Sequence, residues 1–136
     1  MHSTAHLEAA WQAAYGRNPD ATVAYAEAVK AIEAAFIPLV LANDPKATLG
    51  KALAHLRKTS DQWELGILDA HGAPAGVDSL ISLLTLVWQG HRDRHAGTST
   101  AVRVSIEAAE MAVHAAAMTV HWLSRRGLRE RGSSPS

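Results

Sequence analysis

The chain has 136 residues, 48% of them apolar, and its 13 basic side chains are balanced by 13 acidic ones. That length suits a single domain able to bury most of its apolar surface, and zero net charge argues against broad electrostatic capture of nucleic acid or anionic lipid. The absence of cysteine excludes disulfides and thiolate metal sites. No stretch approaches the roughly 20 uninterrupted apolar residues that cross a bilayer, and the N-terminus lacks a basic start leading into an apolar core. A cytoplasmic chain with no membrane partner is therefore expected.

Abundant alanine and few β-branched runs predict helices rather than a sheet. Ser3 or Thr4 can cap a first helix from about Ala5 to Tyr15, with Leu7, Trp11 and Tyr15 along one side, before Gly16 and Asn18-Pro19 break it. Asp20 can cap a second helix in which Tyr25, Val29, Ile32, Phe36 and Leu39 fall at helical spacing. Pro38 lies inside that pattern and predicts a kink or an ending between Phe36 and Leu41. Asn43-Asp44-Pro45 reads as a turn opening a third helix, with proline at the first helical position and Leu49, Leu53 and Leu56 inward, running to about Arg57. Lys58 to Ala75 is the least regular part. There Trp63, Leu65, Ile67 and Leu68 are expected to pin the chain to the core, with His71 to Pro74 a loop.

Val77 to Gly97, VDSLISLLTLVWQGHRDRHAG, has the strongest pattern. Asp78 can cap a helix that is apolar on every side as far as Trp88, so it is predicted to be the enclosed central helix of a bundle. Leu80, Leu84, Trp88, His91 and His95 share one helical stripe. Thr98, Ser99 or Thr100 then opens a last helix reaching about Ser124. Its expected buried seam is Val104, Ala108, Met111, Ala115, Met118 and Trp122; Arg103, Glu107, Glu110, His114, Ala117 and His121 make a second, largely polar seam. Arg125-Arg126-Gly127 has the cations and the glycine of a helix end. The fold class that results is all-α, an antiparallel bundle of four to five helices. Residues 1–127 form one domain, and 128–136 are expected to be a frayed or disordered tail.

Chemistry is best sought where the apolar rod ends in His91-Arg92-Asp93-Arg94-His95. His95 or His91 can act as a general base near neutral pH, and Arg92 and Arg94 can hold a phosphate in a guanidinium fork. Those roles suit metal-independent RNA cleavage by the 2′-hydroxyl. A plainer reading of the same residues is a solvated helix end, its cations offsetting the dipole. His91 and His95 also have a zinc-chelating spacing, with His114 and His121 as conceivable further ligands. The chain has no HExxH pattern and no phosphate-binding glycine loop, so neither a metal nor a cofactor is expected.

Two stretches, AYAEAVKAIEAAFIPLVLANDPKATLGKALAHL (Ala24 to Leu56) and LLTLVWQGHRDRHAG (Leu83 to Gly97), resemble small bacterial and phage proteins related to the C-terminal domain of abortive-infection proteins, within the HEPN superfamily. EAAEMAVHAAAMTVHWLS (Glu107 to Ser124) is similar in style. The resemblance implies a dimerising helical bundle that acts in phage–host conflict. Active members place an arginine four to six residues before a histidine and pair two such motifs across the dimer. Here Arg92 precedes His95 with two residues between and Arg94 adjoins it, so only His95 and the Arg94-His95-Ala96-Gly97 flavour carry over. Two readings follow: an effector that cleaves or binds RNA through His95, Arg92, Arg94 and His91, or a non-catalytic module that binds a second copy or another protein.

Overall fold

The computed structural model describes residues 2–94 and 103–132. Among them are five α-helices: α1 (His2–Tyr15), α2 (Ala21–Val40), α3 (Leu49–Lys58), α4 (Asp78–Arg94) and α5 (Ile106–Ser124). A 3-10 turn (Ser60–Gln62) leads from α3 into strand β1 (Trp63–Leu65), and strand β2 (Leu128–Glu130) follows α5. The all-α class therefore holds, with one small two-stranded ribbon added.

The middle of the bundle is α2, which packs against α1, α3, α4 and α5. Asp20 caps it by accepting the Val23 amide, and Pro38 sits within its last turn, which closes at Leu41. Ile32 and Phe36 are fully enclosed. Around them the interior is lined largely by alanine: Ala10 and Ala14 on α1, Ala24, Ala28 and Ala31 on α2, Ala109, Ala112 and Ala116 on α5. Such small side chains let helix axes approach to about 8 Å, the near limit for packed helices.

The α4 rod is enclosed on one face only. Leu80, Ile81, Leu84 and Val87 are buried, whereas Leu83 and Leu86 are exposed. It lies against α3 and one side of α2, so the middle position expected for it belongs to α2. Asp78 is not its cap: the Val77 carbonyl accepts the first intrahelical bond, from Ile81. Asp78 is the first helical residue, where its charge still favours the positive end of the dipole.

Two helix starts lie later than the sequence suggested. Pro45 lies in a turn, and α3 begins after Thr48, whose hydroxyl accepts the Lys51 amide. Glu33 reaches across from α2 to accept the Leu49 amide, tying the two helices together, and burial raises its carboxyl pKa above the ordinary value. Thr98, Ser99 and Thr100 lie outside the described residues; α5 begins at Ile106, with Ser105 capping the Ala108 amide. At its other end Arg126 takes the left-handed conformation, and the Gly127 and Arg126 amides bond back to Trp122 and Leu123. This is a Schellman ending with arginine, rather than the expected glycine, at the left-handed residue.

The segment after α5 is ordered through residue 132, where fraying was expected. Trp63, Glu64 and Leu65 pair antiparallel with Glu130, Arg129 and Leu128, and Leu128 is buried. Glu64, itself buried, holds Arg129 at 3.1 Å. Residues 133–136 lie outside the described residues. Ile67 and Leu68 do not pin the loop to the core, being 56% and 61% exposed; Trp63 and Leu65 do.

Candidate functional site

The C-terminal end of α4 is organised by two close approaches that require glycine. Trp88 lies so tightly on α3 that a Cβ at Gly50 would fall 2.4 Å from its indole nitrogen. Tyr25, reaching from α2, donates to the Val87 carbonyl at 2.7 Å, and a Cβ at Gly90 would fall 2.4 Å from that hydroxyl. His91 comes next. Its ring stacks nearly parallel to Tyr25 at 6.4 Å and leans on Trp88 at 5.7 Å. It thus continues the stripe of Leu80, Leu84 and Trp88, half-buried among aromatic rings.

Of the other tip residues, Arg92 is exposed and Arg94 is the last residue of α4. The side chain of Arg94 and all of His95 lie outside the described residues. Among the described residues no group of three or more His, Asp or Glu side chains is placed to hold a metal ion. His114 and His121 have other surroundings: His114 meets Tyr15, and His121 borders the end of α5 near Ile67 and Trp122.

A second cluster sits on the outer face of α1 and α5. Tyr15 and His114 share a hydrogen bond of 2.7 Å between the phenol oxygen and Nε2. Trp11 lies against both rings, at 4.9 Å from Tyr15 and 5.4 Å from His114. Loss of water around the phenol, and then the charge of Glu110, raise the Tyr15 pKa above its ordinary value, so it keeps its proton at neutral pH. Glu107, Glu110 and Met111 complete a shallow hollow of about 520 Å³ with Tyr15 and His114.

The polar seam of α5 is therefore an outer face, as its charges suggested, but it carries large apolar groups as well. Met111 was expected in the buried seam and is 66% exposed; Trp11 and Tyr15 are exposed as well, at 46% and 44%. The buried face of α5 runs through Ala109, Ala112, Val113, Ala115, Ala116 and Thr119. Of the predicted seam, Ala115 is buried and Val104, Ala108, Met118 and Trp122 are partly buried against the core. The centre of the face thus lies about one residue round the helix from the predicted one, and Met111 falls outside it. Alanine at those positions was the available signal. A face of small residues fits the close α2–α5 approach, and bulkier methionine and aromatic side chains are left at the rim.

Comparison with protein-family models, with curated proteins and with solved structures finds no match.

Proposed function

We propose that this chain is a non-catalytic helical interaction module that pairs with a second copy through the outer face of α1 and α5. The observation that carries this reading is the grouping of Trp11, Tyr15 and Met111, all more than 40% exposed, around His114 and Glu110. Tryptophan, tyrosine and methionine are the residue types enriched at protein interfaces, and clustered exposed apolar side chains mark such surfaces. An α-helical bundle with no net charge is also free of the self-repulsion that opposes association of like chains. Read with the resemblance to HEPN proteins, the chain is a pairing domain of phage–host conflict that keeps the bundle without the Arg-to-His spacing.

The tip as an RNA-cleaving site has less support. One of its two candidate bases, His91, is stacked on Tyr25 and lies tilted against Trp88, a setting that holds the ring in place. Replacing Arg92, Arg94 and His95 together with alanine is expected to leave self-association unchanged.

Sedimentation measurements over a range of micromolar concentrations test the reading. The wild-type chain is expected to approach twice its 14.5 kDa mass. Trp11→Ser combined with Met111→Ser is expected to remain monomeric with an unaltered helical circular dichroism spectrum, since both side chains are exposed. A wild-type monomer throughout that range would refute it.

A further inference from the structure

We infer that the second copy docks antiparallel along α5, about an axis passing beside Ala117, so that the acidic half of each helix face meets the basic half of the other. This rests on the self-association proposed above and adds its orientation.

The charges on α5 are sorted by sign. Past Arg103, which is exposed just before the helix, the ionisable residues of its first half are Glu107 and Glu110, with His114 beside them in the hollow; from Ala115 to Leu128 they are His121, Arg125 and Arg126, with no acid among them. Glu107, His114, His121 and Arg125 are exposed and Glu110 is half-exposed. Their spacings of three, four and seven place Glu107, Glu110, His114, Ala117 and His121 along one side of the helix. A second copy laid parallel would set carboxylates beside carboxylates. Laid antiparallel, it sets Glu107 and Glu110 against the stretch that holds His121 and Arg125, twice over, because a two-fold axis repeats each contact.

The shape of the face follows the same division. The acidic half carries the hollow at Tyr15, Glu110 and Met111. The basic half carries another, of about 280 Å³, lined by Leu65, Ile67, Trp122 and Arg125. They lie on either side of Ala117, whose small side chain permits close approach where the two helices cross. Antiparallel pairing therefore brings the aromatic, acidic hollow of one copy over the apolar, basic one of its partner. An arginine arriving there meets both carboxylates and the faces of Trp11 and Tyr15, a setting that attracts a guanidinium.

Charge exchange at constant shape tests the orientation, with dissociation constants read by sedimentation at low salt, where such pairs are least screened. Glu107→Lys with Glu110→Lys is expected to weaken dimerisation at least tenfold, as is His121→Glu with Arg125→Glu. All four changes in one chain are expected to restore it, because each half again meets its opposite. If the wild type dimerises and the two double variants bind as tightly as it does, the antiparallel orientation is wrong and self-association stands. If the wild type is a monomer, both fall.

Discussion

Phe36→Ala is expected to lower the unfolding free energy by about 3–5 kcal/mol, the usual range for emptying a phenylalanine site in a packed core. The side chain is fully enclosed in α2, the helix that touches all four of the others, so no exposed neighbour can relax into the space it leaves. Against a total stability of about 5–15 kcal/mol for a domain of this kind, that is a large fraction. Leu39 falls at helical spacing with Phe36 in the sequence, yet it is 39% exposed. Leu39→Ala is accordingly expected to change stability by less than about 1 kcal/mol. Urea unfolding followed by circular dichroism measures both, and equal losses at the two positions would remove α2 from the middle of the bundle.

Gly90→Ala is expected to destabilise the protein, reversing the usual sign. Within a helix, alanine in place of glycine normally stabilises by up to about 1 kcal/mol. At Gly90 the new methyl would meet the hydroxyl of Tyr25, a buried residue whose hydroxyl is held by its bond to the Val87 carbonyl. Overpacking of this kind costs about 1–3 kcal/mol, which outweighs the propensity gain. Displacement of Tyr25 also disturbs the ring on which His91 stacks, so the His91 imidazole proton resonances should shift in the same variant. A melting temperature higher than that of the wild type would show that α4 does not press on α2 in this way.

What the sequence revealed, and what it hid, follows from residue size. Helix periodicity and breakers located the end of α1, the whole of α2 and the end of α5, because Gly16, Asp20 and Pro38 act locally and need no tertiary context. The start of α1 was not located, since the helix begins at His2 and Ser3 and Thr4 lie inside its first turn rather than capping it. The starts of α3 and α5 were misplaced because a proline suited to a first helical position, at Pro45, and hydroxyl residues at Thr98 to Thr100 are local helix-opening signals no weaker than the true caps, Thr48 and Ser105. Burial was misread wherever large apolar residues compete with alanine. Met111, Trp11, Leu83 and Leu86 look like core by hydrophobicity, but the bundle buries alanine faces and leaves those side chains outside. The β1–β2 ribbon was invisible for another reason: its strands span only three residues each and lie more than 60 positions apart, beyond any periodic signal. At the candidate sites, the stripe carrying His91 was legible from spacing within one helix. The cluster of Trp11, Tyr15 and His114 was not, because it depends on α1 lying beside α5.

A single cysteine placed at the crossing point tests the pairing face most directly, since the natural chain has none. Ala117→Cys, treated at micromolar concentration with a short bismaleimide, is expected to yield rapidly a covalent species of twice the 14.5 kDa chain mass. Leu86→Cys, exposed on α4 and so on a different helix, is expected to remain a monomer under the same treatment. Cross-linking of both variants at one rate, or an Ala117→Cys protein that stays at the chain mass, would contradict docking of a second copy along α5.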